Sequence, residues 1–336
     1  MRATLTLFST LALTSSVVFA DTAVSKPDTE ETWTVVDTTN TCTARHEASM
    51  VTLGDKLYLI GGRRKVPVNE YDPATKTWKE MAKPPFQMHH FQAVVIDDKI
   101  AIIGAFTGGY PYEKPIPNVW YFDPKTNSWE EGAEIPAERR RGAAGVVVDG
   151  DDVYVVGGIV NGHWDGFVPW LDRWNTKTGE WTVLPDAPNE RDHFQAGIID
   201  NKIVAAGGRR THAAVKQTFN RTIAEVDAFD IASGEWTTLE HNLPTKRAGT
   251  MAATYGDTIF IAGGESGSQK EAHAEVERFS FSDGEWHQCT PLAHGRHGGG
   301  MCVHGDDMFL ASGSGNRGGG PELDTIEMID ISDLLQ

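Results

Sequence analysis

The sequence predicts an all-β fold, a six-bladed propeller with four antiparallel strands per blade, the last blade closed by an N-terminal strand. Three observations predict it. An 18-residue frame recurs six times without gaps, at a spacing near 50 residues. Five of the six frames are followed by an aromatic residue, a polar turn and a tryptophan. The tryptophan missing from the sixth copy stands ahead of the first frame, as Trp33. Self-similarity at this period marks a closed array of equivalent units.

Taken in order, Met1 to Ala20 reads as a leader. Arg2 is followed by an apolar stretch from Leu5 to Phe19 and by small residues before Asp21. This is the pattern of a secretory signal cleaved after Ala20. It predicts a secreted or periplasmic protein, with residues 21–336 forming one propeller domain. No later stretch approaches the roughly 20 apolar residues of a spanning helix, so no membrane insertion is expected.

The frames run Arg45–Gly62, Met88–Ala105, Arg141–Gly158, Arg191–Gly208, Arg247–Gly264 and Arg296–Gly313. Each holds two apolar runs around a turn pair: Gly54-Asp55, Asp97-Asp98, Gly150-Asp151, Asp200-Asn201, Gly256-Asp257 and Gly305-Asp306. Such pairs favour the positive φ of tight hairpins. The second half of each unit carries Tyr71-Asp72 with Trp78, Phe122-Asp123 with Trp129, Trp174-Asn175 with Trp181, Phe229-Asp230 with Trp236, and Phe281-Ser282 with Trp286. Two further strands follow from these. Trp33 lies 12 residues ahead of Arg45, within the 10 to 12 that separate the other tryptophans from the next frame. It is therefore expected to supply the outer strand of blade six and close the ring.

An arginine-led hairpin, a Gly pair, an aromatic-Asp and a later Trp together resemble the Kelch repeat, over nearly all of residues 21–336. In Kelch propellers the loop before the hairpin and the loop after the Gly pair share one face, which commonly holds the ligand. The scaffold is similar to that of sialic acid epimerases. That resemblance implies a base and an acid beside a carboxylate-binding arginine, with His90, His193 and Glu265 as candidates.

Charge and cysteines narrow the partners. With 30 basic against 47 acidic side chains the chain is repelled by phosphate backbones, so no nucleic acid is expected. Cys42, Cys289 and Cys302 permit at most one disulfide, with its pairing open. A monomer is expected.

The expected ligand site is the Kelch-type mouth. Arg45, Arg141, Arg191, Arg247 and Arg296 share one register, either hydrogen-bonding blade carbonyls and carboxylates or ringing the mouth with guanidinium groups. Arg63-Arg64 and Arg209-Arg210 follow two of the Gly pairs and are not needed to form a blade. Trp164 and Trp170 lie in a long aromatic loop, the kind of segment that binds ligand on a rigid scaffold. Basic and aromatic groups together suit an anionic small molecule, an acidic saccharide in particular. His90 and His193 start the innermost strands of blades two and four and suit a metal site, a general base or a polar channel lining. Convergence between blades cannot be read from spacing, so no metal and no cofactor is assigned. The main expectation is an exported binding propeller. The alternatives are an epimerase- or mutarotase-like enzyme at the same mouth, or a propeller that docks a protein.

Overall fold

The computed structural model describes residues 32–335; the expected leader, Met1–Ala20, lies outside them. Six four-stranded antiparallel sheets form the propeller. Blade 1 runs Ala48–Leu53, Lys56–Gly61, Asn69–Asp72 and Thr77–Glu80 from the inner to the outer edge. The next four blades repeat the order, starting at Val94–Ile96, Gly145–Asp149, Ala196–Ile199 and Met251–Tyr255. Blade 6 takes Gly300–His304, Asp307–Ala311 and Ile326–Asp330, and its outer strand is Thr34–Val35. Thr34 faces Met328 and Val35 faces Glu327, so the strand from the far end of the chain completes the sheet as expected. Trp33 is buried among Leu292, Ile329 and Leu334, and its indole N–H donates to the Thr290 carbonyl at 3.0 Å.

The inner hairpins follow their turn chemistry. Both central residues of Asp97-Asp98 and Asp200-Asn201 have positive φ, between 47° and 61°, as tight hairpins demand. Alternate residues of each strand face the neighbouring blades, and six apolar clusters fill the gaps between successive sheets. Tyr58 and Ile60 of blade 1, for example, meet Ile100 and Ile102 of blade 2. Tyr71, Phe122, Trp174 and Phe229 oppose Trp78, Trp129, Trp181 and Trp236 across the two outer strands. In blade 5 the partner of Trp286 is Phe279, not the expected Phe281. The aromatic two residues earlier is the one that shares the inward face, because side chains alternate along a strand.

Of the two readings of the leading arginines, the structure shows the blade-internal pairing: Arg45, Arg141, Arg191, Arg247 and Arg296 bond carbonyls and polar side chains of their own blades. All five are buried. Each guanidinium donates to the carbonyl 16 residues on, at Gly61, Gly157, Gly207, Gly263 or Ser312. Each also reaches a polar residue on its own blade's third strand: Asn69, Asp172, Asp227, Glu277 or Glu327. The inner hairpin is thereby tied to the third strand by charge-assisted bonds. Blade 2 supports this account. Met88 replaces the arginine, and Trp120 stands opposite Ile102 where the other blades place the polar partner. The cation and its partner are exchanged for apolar groups together, as burial of one without the other would be costly.

Cys42, Cys289 and Cys302 are all free thiols. No helix among the described residues is long and apolar enough to cross a membrane.

Candidate functional site

Two residues beyond the start of each frame, the six inner strands meet in a ring of backbone hydrogen bonds. The N–H groups of His90, Ala143, His193, Gly249 and Gly298 each donate to the carbonyl of the equivalent residue one blade earlier, beginning at Glu47, over 2.6–3.1 Å. Ala48 N–H closes the circle on the Gly298 carbonyl at 3.0 Å. All six ring residues are left-handed, with φ from 53° to 61°. Non-glycine residues rarely adopt this region, so the ring holds strain at four positions. Gly298 has no such freedom to vary: a Cβ there would lie 2.8 Å from the Glu47 nitrogen. The ring fixes Glu47, His90 and His193 around the axis, with small residues at the other three positions.

A second set of buried groups packs on this ring. His163, from the long loop of blade 3, brings its Nε2 to 2.9 Å from that of His193. The rings of His90 and His193 lie 4.9 Å apart and those of His90 and His163 5.0 Å. One nitrogen from each of the three comes within 4.8 Å of the others. A carboxylate or imidazole backs each ring: Asp192 on His193 Nδ1, Glu113 at 3.0 Å from His163 Nδ1, and His89 at 2.6 Å from His90 Nδ1. Glu47 lies between two imidazoles, 3.3 Å from His90 and 3.6 Å from His297.

Burial dominates the proton equilibria. It holds His90 and His193 well below the usual imidazole range and, with Arg63, takes His89 down to about 4. These rings are neutral at physiological pH. Burial also raises the Asp192 carboxyl to about 6 against the pull of Arg209. Burial likewise pushes Glu113 up, but His163 and Arg63 outweigh it and hold that carboxyl low.

Of the other expected residues, Arg63 and Arg209 face the mouth but are already matched. Arg63 bonds Glu113 at 2.7 Å, while Arg209 bonds Glu265 and Thr211. Arg64 is exposed and bonds Glu322, and Arg210 lies 3.8 Å from Glu190. The anticipated ring of unmatched guanidinium groups is therefore replaced by ion pairs. Trp170 packs against Arg139 and Arg141, inside the scaffold of blade 3. Trp164 is exposed and stacks near Tyr112, 5.1 Å between ring centres. Glu265 accepts from Gly318 N–H at 2.7 Å and reaches His297 at 3.5 Å, so it joins the same network from its far side. Sequence reasoning placed His90 and His193 but missed Glu47, His163 and Glu113. Glu47 was legible as the blade 1 counterpart of His90 and His193, in the same frame register.

Two spaces adjoin the cluster. An axial cavity of about 30 Å³, lined by Glu47, His90 and His193, admits an ion or a water but no sugar. A cleft of about 490 Å³ opens between the loops of blades 2 and 3, lined by Tyr112, Glu113, Lys114, Asn161 and Trp164. That volume is in the range of small-molecule sites. Glu113 bridges the two, lining the cleft while touching His163.

With this geometry in place, the profile of the Attractin/LZTR1 beta-propeller family matches residues 16–272. The chain belongs to that family. The Kelch-like protein terF of Aspergillus terreus is 28% identical over 286 residues, 80% of this chain and 61% of its own length. Kelch-like protein 23 of Homo sapiens is 26% identical over 208 residues, 61% of this chain and 35% of that protein. The chain thus spans less than two thirds of the length of these relatives. The solved structure of YjhT superposes with a TM-score of 0.70 at 16% identity, covering 86% of this chain and 96% of that one, a likeness of fold. Within this propeller family scaffold, the buried His–Glu cluster sits on the axis and the ligand-sized cleft beside it.

Proposed function

We propose that this chain is an enzyme of Kelch-type repeats, acting at the axial mouth on a small hydroxylated acid, with an acidic saccharide as the first candidate. The observation that carries the reading is the buried cluster of Glu47 and neutral imidazoles on a rigid backbone ring, joined through His163 to Glu113, which lines a ligand-sized cleft. A scaffold role explains the paired arginines, but it gives no reason to hold three strained, chemically active side chains, Glu47, His90 and His193, together. In this reading the substrate ring lies on Trp164 and Tyr112, and its carboxylate meets Lys114. Glu113, the carboxylate that lines the cleft, takes a proton from the reacting carbon or hydroxyl, and the imidazoles and Glu47 behind it hold the charge and return the proton. The chemistry this fits is epimerisation or mutarotation.

The test is a thermal-shift screen with acidic sugars, followed by NMR of any that stabilises the protein. Interconversion of the sugar signals by the native chain, lost in Glu113→Gln, supports the reading. Stabilisation without interconversion would return the site to a pure binding role, which the exposed Tyr112–Trp164 pair favours as the second reading. The protein is further proposed to act outside the cytoplasm, and N-terminal sequencing of exported material should begin at Asp21.

A further inference from the structure

The hydrogen bonds around two of the three axial histidines, His90 and His193, fix where their protons sit. Gly108 offers only a carbonyl to His89 Nε2, at 3.1 Å, so that nitrogen carries the hydrogen. The neutral His89 ring therefore accepts at Nδ1, and His90, 2.6 Å away, must donate from its own Nδ1. His90 Nε2 is left as a bare lone pair. It is buried and has no hydrogen-bond partner among the described residues, with a Glu47 oxygen 3.3 Å away.

His193 repeats this pattern. Asp192 takes the Nδ1 hydrogen of His193, which leaves its Nε2 as an acceptor 2.9 Å from His163 Nε2, while His163 Nδ1, 3.0 Å from a Glu113 oxygen, is buried without a hydrogen-bond partner among the described residues. One nitrogen from each of the three rings comes within 4.8 Å of the others, and the group includes the bare His90 and the His193 acceptor nitrogens. A cation held among them would satisfy both lone pairs. A single shared proton would satisfy the His163–His193 pair but would leave His90 Nε2 without a partner.

We propose that His90, His163 and His193 bind a divalent first-row transition metal, zinc fitting their chemistry best, with Glu47 beside its open coordination position. Neutral imidazoles are the ligands such ions prefer. Carboxylates on the far ring nitrogens are the usual means of fixing a ligand histidine's tautomer. Metal–nitrogen bonds of about 2.1 Å place tetrahedral ligand atoms about 3.4 Å apart, between the 2.9 Å of the His163–His193 pair and the 4.8 Å that bounds the trio. Three protein ligands with a fourth position open is the arrangement of catalytic rather than structural zinc.

The inference deepens the enzymatic reading, but its test needs no substrate. Full-length mature protein, purified without added metal, is analysed by plasma mass spectrometry. The chelator-treated protein is then titrated with Zn²⁺ by calorimetry and with Co²⁺ by visible absorption. About one ion per chain and the visible bands of nitrogen-bound Co²⁺ are expected. His163→Ala, in a loop outside the backbone ring, should weaken binding at least a hundredfold. Glu113→Gln should weaken it roughly ten- to a hundredfold. Protein that neither carries nor takes up metal overturns the proposal, as does His163→Ala binding as tightly as native. Metal binding without sugar turnover would sink the sugar enzyme and leave the metal site standing; turnover by protein that neither carries nor takes up metal would do the reverse.

Discussion

Two layers of this propeller, two residues apart in every frame, are built by opposite rules. The arginine layer is nearly uniform because its side chains make the structure. Each guanidinium must find the same carbonyl and a polar partner, and where one is lost, at Met88, its partner is lost as well. The axial ring is held by backbone bonds, so its side chains are free to differ. Glu47, His90, Ala143, His193, Gly249 and Gly298 share one conformation and almost no chemistry. Repetition therefore marks scaffold here. The chemically varied side chains stand where the backbone alone carries the repeat.

The largest test of this contrast is Arg247→Ala, which strands the fully buried Glu277. Breaking a buried pair on one side should cost about 3–5 kcal/mol of stability in urea unfolding. The double variant Arg247→Met with Glu277→Leu copies the apolar logic of blade 2, and it should recover at least half of that loss. If the double variant is no better than the single one, the pair is not acting as a unit.

Glu47→Gln probes the other layer. It keeps size and φ and removes the charge, so folding should be close to native. Turnover of a responsive sugar should fall about a hundredfold or more, the usual contribution of a positioned acid or base. A variant that unfolds instead would place Glu47 with the arginines, as scaffold. A smaller effect is expected for Ala143→Gly, which puts blade 3 in the state that blades 5 and 6 already hold. Relief of the left-handed strain at φ 53° offsets glycine's extra entropy in the unfolded chain, so stability should move by under about 1 kcal/mol.

How much of this was legible in the sequence follows the same division. The six frames, the hairpin turns and the closure by Trp33 were readable because each rests on local chemistry repeated in register. The mouth was readable only in outline. His90 and His193 share a motif and stood out, whereas Glu47 occupies the same register without resembling them. His163 reaches the axis from a loop whose path no periodicity encodes. The arginines left two readings open because a guanidinium's partner lies about 30 residues away on the third strand. Nothing local distinguishes a paired arginine from one awaiting a ligand.

The smallest effect concerns the thiols, which lie in neither layer. Burial raises Cys42 and Cys289 to about 11 and Cys302 to about 12. All three are therefore neutral in the folded chain at pH 8, and the thiolate is the reactive form. Alkylation by iodoacetamide at that pH should be slow in native protein and fast in urea. The linkage has a definite sign. A folded-state pKa above the unfolded value of about 9 means that the unfolded chain ionises first as pH rises. The stability associated with the neutral thiols is thus complete below pH 9 and is lost as pH climbs towards 11. Rapid alkylation of native protein at Cys42 or Cys302 would show that the apolar seam between blades 6 and 1, where both thiols pack, opens far more readily than the closed ring allows.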